Sequence, residues 1–261
     1  MIALDDVAYR YPDGASALRG VSFELAAGER AVLLGANGCG KSTLLKLIGG
    51  LLFASDGEVR FRGRVLTSRA LARRESRRRF RAAVGMVFQN PDAMLFNPTV
   101  REEIAYGPAR LGRSDADEVA LEWARRFGLQ RYLDTAPFRL SGGEKQRLAL
   151  ACVLACGPEL VLLDEPTANL DPRASGWLVD FLLDQRGLTT LVSTQNLSLA
   201  AELGERALIL DERGELIHDG DLAAAMRDGG LLWRANLAHR HRHRHADGTE
   251  HRHAHVHEDW S

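Results

Sequence analysis

Short apolar runs bounded by turn residues fill the first part of the chain: Ile2 to Leu4, Val21 to Leu25 and Ala31 to Leu34, punctuated by Pro12-Asp13-Gly14 and Ala27-Gly28-Glu29. Runs of this length between such turns predict β-strands. After Leu34 the chain enters glycines, and beyond them Leu44, Leu45, Leu47, Ile48, Leu51 and Leu52 recur at helical spacing. The pattern predicts a strand, a glycine loop and a buried helix in succession. Glu58 to Val65 predicts a further strand. From about Pro91 to Cys156 the periodicity is helical, with Arg101 to Tyr106, Asp115 to Phe127 and Glu144 to Leu154 as helices, and the stretch is expected to be an inserted helical subdomain. Strand character returns at Leu160 to Leu163, Thr189 to Ser193 and Ala207 to Leu210, the first two separated by the helical stretch Arg173 to Gln185. Alternation of this kind predicts a parallel sheet in an α/β fold. Leu208 to Asp211 and Glu215 to Asp219 predict a hairpin, a helix follows from Asp221 to about Met226, and the folded part is expected to end near Leu237.

The last segment, 238–261, has a different character. Eight histidines stand in two blocks, His239, His241, His243 and His245, then His251, His253, His255 and His257, almost without hydrophobic side chains. Such a tail cannot build a core and is expected to be disordered when unliganded. Neutral imidazoles on a flexible segment suit Ni2+, Co2+, Cu2+ or Zn2+, with binding that weakens below about pH 6.5. An incidental low-complexity tail is the competing reading. Interspersed Arg, Asp and Glu argue against an expression tag.

Composition adds mainly exclusions. The 261 residues are 45% apolar, and 34 Lys plus Arg face 35 Asp plus Glu. That is an ordinary globular balance, and the length is enough for a core without disulfides. Cys39, Cys152 and Cys156 make an odd count without framework spacing, and the first residues lack a signal core, so a reducing cytoplasm is expected. No apolar run approaches the roughly 18 residues of a membrane helix, so any membrane role runs through a partner. Arg69, Arg73, Arg74, Arg77, Arg78, Arg79 and Arg81 are crowded ahead of Val84. They could serve an anionic partner, although most such runs are solvated helix faces.

The glycine loop carries the strongest chemistry. Gly35-Ala36-Asn37-Gly38-Cys39-Gly40-Lys41-Ser42 fits G-x-x-x-x-G-K-[ST], with a strand before it and a helix after it. Glycines let successive backbone N–H groups turn inward around phosphate oxygens at a helix N-terminus. Lys41 is expected to reach the terminal phosphates and Ser42 to ligate Mg2+, with Thr43 completing the nucleotide-binding run. Cys39 occupies a variable position and reads as a small residue rather than a nucleophile.

Leu160-Val161-Leu162-Leu163-Asp164-Glu165 is an apolar run ending in two carboxylates, as expected of a buried parallel strand that opens onto a ligand crevice. Neighbouring strand residues face opposite sides, so the acids can divide the work. Asp164 would hold the Mg2+ shell and Glu165 would orient the attacking water. A second anion-binding helix start is expected at Ser141, Gly142 and Gly143, for which an ordinary helix cap is the plainer alternative.

With Leu140-Ser141-Gly142-Gly143-Glu144-Lys145-Gln146-Arg147 added, the chain resembles the ATP-binding cassette ATPases over roughly residues 1 to 235. The octapeptide looks like that family's signature. The resemblance implies a P-loop NTPase with a largely parallel mixed sheet, a small antiparallel β portion at the N-terminus and an inserted helical arm over about 91–156, with the whole ATPase domain spanning 1–237. It implies ATP and Mg2+ as cofactors. It also implies a head-to-tail dimer in which Ser141, Gly142, Gly143 and Glu144 of one subunit cover the nucleotide held by the other's phosphate loop. Tyr11 sits where the family stacks an aromatic on adenine, with Tyr9 close enough to be confused with it. Gln89 matches the glutamine that contacts Mg2+ and senses the nucleotide, and Asp171 lies in the loop that crosses between protomers.

One position departs from the pattern. In Leu191-Val192-Ser193-Thr194-Gln195-Asn196-Leu197 the family's switch histidine is replaced by Gln195, which can donate a hydrogen bond to a γ-phosphate but cannot carry a proton. Weakened hydrolysis is expected. Phe88 to Val100, followed by Ala105-Tyr106-Gly107-Pro108, is similar to the ATPases of energy-coupling-factor importers of cobalt, nickel or vitamins. This resemblance implies a transmembrane energy-coupling subunit and a substrate-binding membrane subunit as partners, a homodimer or heterodimer of ATPases, and a place at the cytoplasmic face of the membrane. Met94, Leu95 and Phe96 would form a socket for the partner or pack internally. With the tail, nickel or cobalt is the expected cargo, and Ni2+ or Co2+ on the tail the expected extra ligand. The alternatives are a vitamin or another metal as cargo, a non-transport ATPase acting on nucleic acid, and a metal-storage protein. No nucleic-acid partner is expected.

Overall fold

The computed structural model describes residues 1–168, 170–185, 187–244 and 250–256; within 239–244 and 250–256 it is the backbone that is described. The chain divides into two units, one of residues 1–26, 30–66 and 192–261 and one of residues 27–29 and 67–191.

The first unit opens with β1 (Ile2–Arg10) and β2 (Ser16–Leu25), which pair antiparallel with Ile2 opposite Leu25, Leu4 opposite Phe23 and Val7 opposite Val21. All six of these side chains are buried, so one face of this ladder is apolar. On its other edge β1 pairs with β4 (Asp56–Phe61), which returns through β5 (Arg64–Val65), giving the order β2-β1-β4-β5. The expected single strand from Glu58 to Val65 is therefore broken. Arg62 and Gly63 both take positive φ, 51° and 73°, the geometry of a two-residue hairpin turn that sets Phe61 opposite Arg64. Arg at the first turn position hides this signal, because Asn or Asp usually marks it.

The same unit holds β3 (Arg30–Leu34), α1 (Lys41–Ile48), β9 (Arg206–Leu210) and β10 (Leu216–Asp221), with β3 parallel to β9 and β9 antiparallel to β10. Strand β3 is buried along Ala31 to Leu34, as a strand covered on both faces must be. In the second unit β6 (Val84–Val87) runs parallel to β7 (Leu160–Asp164), Val84 opposite Leu160 and Val87 opposite Leu163. The strand β8 (Thr189–Thr194) is divided between the units at 191/192.

The second unit's helices are α2 (Ser68–Ala72), α3 (Arg74–Ala83), α4 (Val100–Arg110), α5 (Ala116–Arg126), α6 (Gly142–Leu154) and α7 (Pro172–Asp184). Helix α4 outruns the expected Tyr106 end and continues through Pro108. It lies against α6 where Gly107 leaves room: a Cβ there would sit 2.4 Å from Cys156 Sγ. An aromatic cluster seals the far side, with Phe127 1% exposed and its ring 5.6, 5.2 and 4.8 Å from those of Trp123, Trp177 and Phe181. These offset and edge contacts are the favourable ones for aromatic rings.

Three short helices complete the first unit: α8 (Leu197–Leu203), α9 (Leu222–Arg227) and α10 (Gly229–Arg234). Of these α9 was expected, whereas α8 and α10 were not. Strands β11 (Ala238–Arg244) and β12 (Glu250–Val256) pair antiparallel, placing His239 opposite His255, His241 opposite His253 and His243 opposite His251. The strict alternation of histidine with other residues has the period of a strand. His245, His257 and Asn169 lie outside the described residues.

Candidate functional site

In the first unit the glycine loop delivers the chain into α1 without a conventional cap. Gly40 is the N-cap at φ 106°, no side chain caps the helix, and no acidic residue stands in its first turn. A Cβ on Gly40 would lie 2.5 Å from the Ala17 carbonyl, so both the conformation and the space require glycine. The helix thus begins without a side-chain cap and presents the positive end of its dipole, the arrangement that takes an anion. Lys41 adds a full charge. Only 6% exposed, it donates from Nζ to the carbonyls of Gly35 at 2.8 Å and Ala36 at 3.1 Å. Asn37 and Gly38 are exposed, Gly35 is buried, and Ser42 is half-buried on the first turn.

Thr43 and Tyr11 meet: their hydroxyl oxygens lie 2.8 Å apart, and the Tyr9 ring stands edge-on to that of Tyr11 at 5.0 Å. The tie to α1 therefore falls on Tyr11. Cys39 is 2% exposed and burial pushes its thiol up from the ordinary value, which suppresses the thiolate a nucleophile would need. Gln195 is exposed beyond the end of β8, between Thr194, whose Oγ1 accepts from Asn196 N–H at 3.0 Å, and Asn196, whose side chain caps α8 at Leu199 N–H.

In the second unit β7 is buried throughout and ends at Asp164, 4% exposed, with Glu165, 9% exposed, at φ 44°. A left-handed glutamate is uncommon and costs free energy, and such strain is typical of residues held for function. Oxygen donors of the kind carried by Ser42, Gln89 and Asp164 suit Mg2+. Ser141 begins α6 with a capping box: the Ser141 hydroxyl accepts from Glu144 N–H at 3.4 Å, and the Glu144 carboxylate accepts from Ser141 N–H at 2.8 Å. Glu144 also accepts a hydrogen bond from the Tyr132 hydroxyl. Its carboxylate is therefore turned back onto its own helix start. The Tyr132 hydroxyl chiefly, then Ser141 N–H and hydroxyl and the Arg147 charge, hold it down to about 2. Asp171 caps α7, accepting from Ala174 N–H at 2.8 Å.

Gln89 and Gly142, both expected site residues, line one cleft of about 170 Å³ with Asp92, Lys145, Gln146, Pro166 and Leu170. The sequence alone assigns no site role to Lys145 and Gln146 of this cleft, nor to Glu103 of α4. Lys145 Nζ pairs with Asp92 at 2.7 Å and joins the segment after Gln89 to α6. Gln146 is 3% exposed and its Nε2 has no hydrogen-bond partner among the described residues. Glu103, 4% exposed, accepts from Phe96 N–H at 2.8 Å, Asn97 N–H at 2.6 Å and Asn97 Nδ2 at 3.1 Å, and so fixes the loop that leaves Phe96 65% exposed. An acid in the first turn of α4 resembles ordinary dipole compensation, which hides this role.

Cys152 and Cys156 offer no metal site. Burial raises both thiols, Cys156 to about 11, and Cys156 Sγ donates to its helix neighbour's carbonyl at 3.6 Å. Among the described residues no group of three or more His, Cys, Asp or Glu is placed to hold a metal ion.

Residues 18–168 match the ABC transporter family. The chain belongs to that family. The energy-coupling factor transporter ATP-binding protein EcfA of Methanothermobacter thermautotrophicus is 41% identical over 241 residues, covering 91% of this chain and 76% of that one. The EcfA of Methanocaldococcus jannaschii is 35% identical, covering 91% and 85%. Among solved structures, CbiO1 of Clostridium perfringens, described as part of the ABC transporter complex CbiONQ, superposes with a TM-score of 0.76 at 28% identity over 90% of this chain and 94% of that one. The cassette MJ0796, solved as a dimer in a post-hydrolysis state with ADP and Pi, gives 0.75 at 30% identity over 85% and 99%. The protein is accordingly an ABC-type ATPase, with the fold its sequence resemblance implies.

The Glu144 contacts set a pH dependence. The carboxylate titrates near 4.5 in an ordinary environment and near 2 in the fold, so its stabilisation is complete above about pH 4.5 and lost as pH falls toward 2. Replacing it with glutamine should lower the midpoint of thermal unfolding near neutral pH, by an amount equivalent to about 1 kcal/mol. The difference from the native protein should close through that acid window, as followed by circular dichroism. A difference independent of pH would mean the carboxylate's charge contributes nothing.

Proposed function

We propose that the protein is the ATP-hydrolysing subunit of an energy-coupling-factor type importer, bound to the cytoplasmic face of the membrane through a transmembrane coupling subunit, with nickel or cobalt as cargo. The observation that carries the ATP-handling part is the start of α1: an uncapped glycine entry, no acid in the first turn, and a buried Lys41 ammonium that donates to the loop carbonyls of Gly35 and Ala36. In this reading Lys41 leaves those carbonyls for the terminal phosphates, the loop from Gly35 to Thr43 wraps the polyphosphate, and Tyr11 carries the adenine. Ser42, Gln89 and Asp164 would hold Mg2+, which when bound neutralises phosphate charge.

Glu165 takes the base position and orients the attacking water, a task that needs positioning and charge rather than a covalent intermediate. Ser141, Gly142 and Gly143 of a second subunit close over the nucleotide. Glu144, whose carboxylate is already engaged by Tyr132 and Ser141, holds that turn in shape. Gln195 contacts the γ-phosphate as a neutral donor, so turnover is modest. Support comes from the family membership, the EcfA relatives and the dimeric cassette neighbour. With the membrane subunits present, Glu165→Gln should abolish hydrolysis while retaining ATP binding, and Gln195→His should raise turnover several-fold. Unchanged turnover in the second variant would show that this position is not limiting, and undiminished turnover in the first would refute the catalytic assignment.

The docking face is the loop held by Glu103. Phe96 is 65% exposed and stands edge-on to Tyr106 at 4.9 Å, whereas Met94 and Leu95 are half-buried and Met94 Sδ accepts from Phe88 N–H at 3.4 Å. Internal packing thus accounts for Met94 but not for Phe96, which we assign to the membrane partner. Phe96→Asp should abolish co-purification with the membrane subunits while changing thermal stability by less than about 0.5 kcal/mol, as exposed substitutions do. Normal assembly would refute the assignment.

The tail favours a transition-metal cargo. Three histidine pairs face each other across β11 and β12. Neutral imidazoles at such positions suit Ni2+ or Co2+. Titrating the full chain with Ni2+ near neutral pH should give saturable heat that disappears when the tail histidines are replaced by alanine and weakens below about pH 6.5. No heat with the native chain would remove the tail from the argument.

A further inference from the structure

The basic run ahead of β6 is a folded feature with no role in the nucleotide site. Between positions 73 and 81 stand six arginines and one glutamate. Helix α3 presents Arg74, Arg77, Arg78, Arg79 and Arg81 to solvent, and Arg73, its N-cap, is exposed as well. Glu75 is committed to Arg79, Nε to Oε1 at 2.8 Å. Only Phe80 and Ala83 of the helix are buried, so it is anchored by one narrow stripe and charged over the rest of its circumference. Like charges crowd there: six arginines stand within nine residues against one glutamate already paired with Arg79. A cluster of this kind repels itself, and an anionic partner relieves the repulsion.

The cluster is continuous with the aromatic face. Arg78 comes close to Gly112, where a Cβ would lie 3.4 Å from its Nη2. Just before Gly112, the Arg110 guanidinium lies over the Tyr106 ring at 5.2 Å, and Tyr106 stands against Phe96. The arginines thus run into the loop assigned above to the membrane partner.

We propose that α3 and its N-cap form a lipid-facing surface, in which Arg73, Arg74, Arg77 and Arg78 engage the anionic phospholipid headgroups around the membrane partner. Its chemistry fits headgroups better than a nucleic acid. Phe80, the aromatic within the run, is 5% exposed and cannot stack on a base, and a dense set of guanidiniums with no reading group demands charge and phosphate without sequence. Arginine suits phosphate because its planar fork donates two hydrogen bonds at once. The buried Phe80 also excludes insertion, so attachment is electrostatic and salt-sensitive. The choice of a lipid surface rests on the docking assignment of the Phe96 loop.

The test is co-sedimentation of the full chain with vesicles of phosphatidylcholine alone and of phosphatidylcholine with a third phosphatidylglycerol. It is run with a chelator at mildly alkaline pH, where the tail histidines are neutral and metal-free. Binding should be confined to the anionic vesicles and fall steeply with salt. The variant carrying Arg73→Gln, Arg74→Gln, Arg77→Gln and Arg78→Gln should bind roughly tenfold more weakly or worse, with unchanged circular dichroism and unchanged ATP binding. A second variant, with glutamine at Arg240, Arg242 and Arg244, should bind as the native chain does. Equal binding by the α3 variant, loss of binding in the tail variant alone, or tighter binding to duplex DNA than to anionic vesicles at the same salt would each overturn the proposal. The vesicles contain no protein partner, so failure here is distinct from failure of the Phe96 assignment.

Discussion

The start of α1 is the constraint on which the site depends. Gly40 lies under the Ala17 carbonyl with no space for a side chain, so the helix begins without the serine, threonine or aspartate that would otherwise satisfy its first N–H groups. The sequence then supplies a lysine where its charge is buried and no acid in the turn that could neutralise it. Each choice lowers the stability of the protein alone and raises its affinity for a polyanion. Tyr11, tied to Thr43, brings an aromatic ring to the same helix.

The other glycine-rich helix start solves the opposite problem. At α6, Ser141 and Glu144 satisfy each other's backbone groups, and Tyr132 and Arg147 add to the hold on the carboxylate. That turn is complete by itself. It offers a firm edge built from Ser141, Gly142 and Gly143 rather than an open cradle, and Gly142 lines the same cleft as Gln89. A turn stabilised in this way suits a surface that closes over a ligand held by another chain. The Lys145 to Asp92 ion pair links α6 to the segment after Gln89, giving a physical path by which a change at one is felt at the other.

Much of this was legible in the sequence because backbone chemistry left residue-level signatures. The phosphate loop needs glycine at set positions, and β7 needs an unbroken apolar run before its two acids, so both could be read directly. What escaped reading depends on contacts distant in sequence or on elements too short for a period. Glu103 looks like any acid in a first helical turn until Phe96 and Asn97 are seen to donate to it. Gln146 looks like a helix-surface residue until its burial is known. Helix α8 is capped by Asn196, a signal masked by attention to Gln195 beside it. The turn at Arg62-Gly63 shows a local geometry overriding the residue preference at its first position.

In the proposed function the site assembles from two copies of the chain around nucleotide. The most direct measurement is the mass of the Glu165→Gln variant in solution, by analytical ultracentrifugation, with and without ATP and Mg2+. A single chain is expected without nucleotide and a dimer with two ATP bound when both are present, reversed on removing nucleotide. A species that binds ATP and remains a single chain at every protein concentration would contradict it.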